Sequence, residues 1–137
     1  MTATLIGRDP ACDLAVLRVK SKKVTAASFR TDLSELEKDD FVVAIGKPKQ
    51  LKKPVVSGNI IGLFRNIEYP DPELTGIYEV IESTTPLVSG FSGGPLLDHN
   101  GRVVGINMAK FLDEPGGISL PADFVVEVVE RLLAAAE

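Results

Sequence analysis

Ser92 stands in the run Gly90-Phe91-Ser92-Gly93-Gly94-Pro95-Leu96. A serine hydroxyl between glycines, entering an apolar segment, is placed like a nucleophile on a tight turn. Gly90 and Gly93 let the backbone bend sharply around Ser92 and bring main-chain N–H groups close to a substrate carbonyl. The chemistry would be acyl transfer, with the hydroxyl attacking a carbonyl carbon. The same residues also suit an ordinary glycine-rich turn.

Gly90, Ser92 and Gly94 satisfy the spacing G-x-S-x-G. In an α/β-hydrolase that spacing needs a strand before it and a helix after it. Here Pro95 follows, then apolar runs on either side of Asn100-Gly101. Asn-Gly between two apolar runs predicts a β-hairpin. A hairpin in place of the required helix excludes the α/β-hydrolase context, and the downstream pair Asp98-His99 falls in its turn.

The elements that must position Ser92 are mostly short strands. They are expected at Thr4–Gly7, Leu14–Val19, Phe41–Gly46, Val55–Phe64, Ile77–Ser83, Pro95–Leu97, Val103–Lys110 and Ile118–Leu120. Turn signals such as Gly7-Arg8-Asp9-Pro10 and Tyr69-Pro70-Asp71-Pro72 separate them. The acidic stretch Asp32–Asp40 reads as a solvated loop. Phe124, Val125, Val128, Val129, Leu132 and Leu133 then recur on one helical face, with Pro121 and Asp123 at a helix start. Many short strands and one final helix imply an all-β sandwich or barrel.

Five blocks in order carry a more specific signal. Leu5-Ile6-Gly7-Arg8-Asp9 leads to Asp13-Leu14-Ala15-Val16-Leu17-Arg18-Val19. Phe41-Val42-Val43-Ala44-Ile45-Gly46-Lys47-Pro48 and Val56-Ser57-Gly58-Asn59-Ile60-Ile61-Gly62 follow. The Ser92 hairpin and Gly116-Gly117-Ile118-Ser119-Leu120-Pro121 complete the series. Together they resemble trypsin-like serine proteases of the HtrA (DegP/DegS-like) branch, over nearly the whole chain. The resemblance implies a chymotrypsin-like double β-barrel, with the first barrel incomplete, plus a C-terminal α-helix. Residues 1–50 would be the remainder of the N-terminal barrel, 51–120 the C-terminal barrel and 121–137 the helix.

The resemblance further implies Ser92 as nucleophile, Asp13 as the triad acid, and the Gly90 and Ser92 N–H groups as the oxyanion hole. Asp13 also suits a simple turn opening a strand after Pro10. Asn107, Met108 and Ala109 would pair with substrate backbone. Pro86 and Val88 would border a specificity pocket between Pro86–Ser89 and Met108–Phe111. No acid lies in those two stretches, so a small or medium apolar side chain is expected there. Phe91 departs from the asparagine usual before the nucleophile.

The family's histidine base precedes the aspartate by more than the twelve residues that stand before Asp13 here. The sole histidine, His99, sits at the tip of the predicted hairpin and reads as a solvated turn residue. The expectation is a protease domain whose front lies outside this chain, inactive alone. A non-catalytic peptide- or protein-binding module is the alternative. Association with a separate chain carrying the front half is a further possibility. Self-association through the incomplete barrel and a PDZ domain following Glu137 are also expected.

Composition narrows the remaining classes. A chain of 137 residues with 45% hydrophobic residues suits one domain with a sizeable core. Net charge −4 argues against a nucleic-acid partner. Two lysine clusters, Lys20, Lys22 and Lys23, then Lys47, Lys49, Lys52 and Lys53, read as solvated strand ends. No apolar run reaches membrane-spanning length, so no membrane insertion is expected of this segment. Cys12 is the lone cysteine and reads as packing beside Asp13. No metal-site spacing occurs, and no cofactor is expected. The partner would be a peptide or unfolded protein. The resemblance suggests a periplasmic, extracytoplasmic or organellar location.

Overall fold

The computed structural model describes residues 2–49, 53–67, 79–111 and 114–137. Eight strands and one helix follow in order: β1 Ala3–Asp9, β2 Leu14–Val19, β3 Phe41–Ile45, β4 Val55–Arg65, β5 Val80–Ser83, β6 Pro95–Leu97, β7 Val103–Lys110, β8 Gly117–Pro121 and α1 Ala122–Ala135. The turn at Tyr69–Pro72, the first residues of the expected 77–83 strand and Lys52 lie outside the described residues.

Six strands close a barrel in the order β3-β4-β5-β8-β7-β6, while β1 and β2 form a separate two-stranded sheet. The architecture is mostly β with one terminal helix, as the sequence pattern requires. The barrel boundary differs from the expected division at residue 50. β3 pairs along β4 from Phe41↔Asn59 to Ile45↔Val55, and it closes the barrel through Val43↔Leu97 and Ala44↔Leu96. Its alternation explains the placement. Val42 and Ala44 are fully buried in the barrel, while Phe41 and Ile45 face outward. These residues therefore belong to the closed barrel and not to a front-barrel remnant.

The barrel core gathers Val42, Ala44, Ile60, Ile81, Phe91, Leu96 and Val104. It also takes Leu33 and Leu36, so the acidic segment between β2 and β3 is not simply solvated. Its charged residues stay exposed, Asp40 excepted, which is half-buried, while the two leucines cover the barrel. Upstream, the segment is tied to β7. Val103 N–H donates to Ser28 O and Arg30 N–H to Val103 O, at 2.8 and 2.9 Å.

A second core lies between the barrel's back, β1–β2 and α1. Cys12, Val80, Ile118, Leu120, Val125, Val128 and Leu132 fill it. The apolar face of α1 supplies the last three, as its periodicity predicts. Gly7 of β1 lies against Leu132, where even a Cβ would sit 3.4 Å from the leucine side chain. Arg131 pairs with Asp9 and pins α1 to the end of β1.

The other face of β1–β2 is open. Leu5 and Leu17 are cross-strand partners and stand 55% and 58% exposed, with Val19 beside them. A two-stranded sheet is marginal by itself and holds here through its helix-facing side. Hydrogen exchange is therefore expected to show strong protection in β3–β8 and weaker protection in β1–β2. Self-association measured by light scattering is expected to fall in a Leu5→Ser/Leu17→Ser double variant, with the barrel's melting nearly unchanged. Equal protection of both sheets in a monodisperse monomer would contradict this.

Candidate active site

The loop from β5 to β6 is held by its own backbone and by the barrel. Phe91 N–H donates to Val88 O at 3.2 Å, and Gly94 N–H to Phe91 O at 3.0 Å. Gly93 N–H donates to Asn107 O, and Asn107 N–H to Gly94 O, both at 2.8 Å. Gly90 and Gly93 have φ of 104° and 87°, the left-handed region that glycine enters freely. Gly90 also approaches β3's end so closely that a Cβ there would lie 2.4 Å from Lys47 O. Lys47 N–H donates to Gly90 O at 3.0 Å and locks this approach.

Phe91 is the largest fully buried side chain among the described residues, 1% exposed in the barrel core. With Phe91 turned inward, Ser92 stands exposed at the surface. The departure from asparagine thus has a structural role: the aromatic ring anchors the serine's loop. Ser92 Oγ donates to Met108 O at 3.0 Å. Among the described residues, no backbone or side-chain acceptor takes the N–H of Gly90 or Ser92. N–H donors with no such acceptor suit an oxygen that gains negative charge.

Asp13 begins the return from the β1–β2 turn. Its φ of 57° is a left-handed conformation that aspartate tolerates. The turn is braced by Asp9, whose Oδ1 accepts from Ala11 N–H at 3.0 Å. The Arg131 guanidinium holds the Asp9 carboxyl below its ordinary value. Burial, together with the Asp9 charge, pushes the Cys12 thiol up to about 11, so it packs and does not react. Asp13 and Ser92, distant in sequence, line one cavity of about 400 Å³ together with Phe29, Ile106 and Leu120.

A second pocket of about 320 Å³ opens beside Ser92. Val88, Met108 and Ala109 lie on its wall, and Leu87, Ser89 and Lys110 complete it. Pro86 is not on the wall; it is exposed outside. Asn107 also differs from expectation. It is 1% exposed, its amide donates to Pro95 O at 3.0 Å and accepts from Ser119 Oγ at 2.9 Å, and its backbone bonds Gly93 and Gly94. Its polar groups are thus engaged within the protein, although it contributes to the larger cavity's wall. The open edge of β7 begins at Met108, because β6 pairs only as far as Ile106.

His99 lies at the far end of β6 from Ser92, exposed on the hairpin tip. Asp98 organises that tip. Its Oδ1 accepts from the N–H groups of Asn100 and Arg102 at 2.9 and 3.0 Å. Its Oδ2 meets Arg30 and Arg102 at 3.3 and 3.2 Å, with the Asp98 side chain 2% exposed. Burial pushes this carboxyl up, but the N–H donors and the guanidiniums outweigh it and hold it below the ordinary aspartate value.

Asp98→Ala is expected to cost about 3 kcal/mol in denaturant unfolding, since it strands two arginines against the hairpin. A depressed folded-state pKa contributes stability above the unfolded value, about pH 4, and loses it as pH falls further. The Asp98 contribution should therefore be full at neutral pH and fade in acid. His99→Ala is expected to melt within about 0.5 kcal/mol of the parent, as exposed positions do.

Residues 1–106 match the family described as trypsin-like peptidase domain. The serine protease Do-like HtrB of Bacillus subtilis is 36% identical over 96% of this chain and 30% of its own length. A probable periplasmic serine endoprotease, DegP-like, of Bartonella henselae is 38% identical over 97% of this chain and 26% of its own length. The structure of the HtrA-type protease AlgW with a decapeptide superposes with a TM-score of 0.85 at 30% identity, covering 98% of this chain and 41% of that one. The chain thus spans less than a third of the length of these curated relatives.

Proposed function

The chain belongs to the trypsin-like peptidase family, and we propose that it is the nucleophile-bearing part of an HtrA-type serine endopeptidase domain. The observation that carries this reading is the meeting of Asp13 and Ser92 on one cavity, beside N–H groups that find no acceptor among the described residues. In the proposed reaction, Ser92 Oγ attacks the carbonyl carbon of a peptide bond. The Gly90 and Ser92 N–H groups take the oxygen's charge, which is worth roughly 10²–10³ in rate per donor. The carbon–nitrogen bond breaks, the amine leaves with a proton, and water hydrolyses the acyl-serine. Asp13 would orient the base and stabilise its cation.

The substrate is an extended peptide or unfolded protein. Its backbone would add to the open edge of β7 from Met108 onward, a strand-addition mode in which main-chain hydrogen bonds supply affinity. Pairing there would give the Met108 carbonyl a substrate N–H and release Ser92 Oγ from it. An extracytoplasmic location fits the description of the Bartonella relative as periplasmic.

One observation favours a second reading for the chain by itself. His99, the sole histidine of the 137 residues, sits at the hairpin tip away from Ser92, so no histidine of this chain stands ready as the base that a serine needs at neutral pH. By itself the chain would bind peptides without cleaving them.

Two measurements test these readings. A fluorophosphonate probe should label the chain no faster than its Ser92→Ala variant, and casein should remain intact. Rapid stoichiometric labelling of Ser92 would overturn the inactivity. Titration with an extended peptide should shift the amide resonances of 89–92 and 108–110. Shifts confined to other surfaces would overturn the cleft.

A further inference from the structure

The pocket beside Ser92 carries a charge that acyl transfer does not use. Its body is apolar, built from Leu87, Val88, Met108 and Ala109. Lys110 is the one charged residue on its wall among the described residues, and no carboxylate lines it. None of the ion pairs formed among the described residues involves Lys110. Ser89 adds a hydroxyl to the same wall.

Sheet register sets this arrangement. Lys110 ends β7 opposite Gly117 of β8, one step beyond the Ala109↔Ile118 pair. Gly117 leaves room that Leu87 fills, since a Cβ there would come within 2.3 Å of Leu87 Cδ1. The strand that would pair with substrate backbone therefore also carries the lysine to the pocket. Lys110 is exposed on the wall of a pocket that Ser92 also lines, and a lysine lays its methylene stem along apolar surface while keeping its ammonium in water.

We propose that this pocket takes the side chain preceding the cleaved bond and that Lys110 biases it toward an acidic one, glutamate above all. The inference rests on the peptide-cleft reading given above. The two methylenes of glutamate would lie against Leu87, Val88 and Met108, and its carboxylate would meet the Lys110 ammonium. The sequence expectation of an apolar side chain accounts for the pocket's body. The charge at its wall adds a preference that hydrophobicity alone does not predict. A cationic side chain would be repelled there. An ion pair open to water is weak and screened by salt, so the bias is modest.

The test uses the 137-residue chain and four acetylated tetrapeptides, Ala-Ala-Ala-Xaa, ending in glutamate, glutamine, valine or lysine. Their affinities are read by amide shifts in the cleft. The glutamate peptide should bind about fivefold more tightly than its glutamine isostere, with the lysine peptide weakest. That advantage should shrink in 0.5 M salt, with the Debye length down to about 4 Å. Lys110→Glu should invert the order of the glutamate and lysine peptides, while circular dichroism shows an unchanged melt at this exposed position. Equal affinities in the parent, or an order unmoved by the charge reversal, would overturn the role of Lys110 and leave the peptide cleft standing. Absence of saturable binding by all four peptides at millimolar concentration would overturn the cleft and this inference together.

Discussion

Phe91 joins the barrel's packing to the position of the candidate nucleophile. Its ring fills the core among Val42, Ile60, Ile81, Leu96 and Val104, and the next residue is Ser92. A buried phenylalanine of this kind is worth about 3–5 kcal/mol against truncation to alanine. The turn between the two residues is equally constrained. A Cβ at Gly94 would lie 2.2 Å from Ile45 O, and one at Gly90 would lie 2.4 Å from Lys47 O. Ser92 is therefore presented only when β3 is seated in the barrel and its end lies under the loop. Stability of the core and geometry of the serine are one property here.

The candidate acid depends on a different and weaker assembly. Asp13 follows Cys12, which is sealed in the second core against α1 and β8. The Asp9–Arg131 pair and the Gly7–Leu132 contact dock β1–β2 onto the helix. The cavity shared by Asp13 and Ser92 thus lies at the seam between a closed barrel and a two-stranded sheet. Regions with fewer buried contacts open more readily, so the seam is where the constellation is softest. The serine side is held by the closed barrel, and the aspartate side is set by how well α1 holds the hairpin.

Much of the fold was legible in the residue pattern. Alternation and turn residues located every strand that the described residues contain, and the 3.6-residue period located α1. Asn100-Gly101 placed the hairpin that carries His99 away from Ser92. The assignment of β3 failed because an alternating strand looks alike in either barrel; only its partners β4 and β6 distinguish them. Leu33 and Leu36 were hidden among acids, where local composition outweighs two apolar residues. Asn107 looked available because a strand's sequence does not reveal which edge is already bonded. Pro86 and Leu87 are neighbours, and a single peptide's rotation decides which one faces the pocket.

By itself the sequence determined the elements, the glycine-permitted turn around Ser92 and the likeness that names its chemistry. These are local properties, fixed by φ preferences, side-chain periodicity and spacing. Only the tertiary structure decided that Asp13 and Ser92 share a cavity, that Phe91 is the loop's anchor, and that Lys110 stands at the pocket beside the serine. Each of those depends on strand register and on which elements close over one another, and no window of sequence contains both partners.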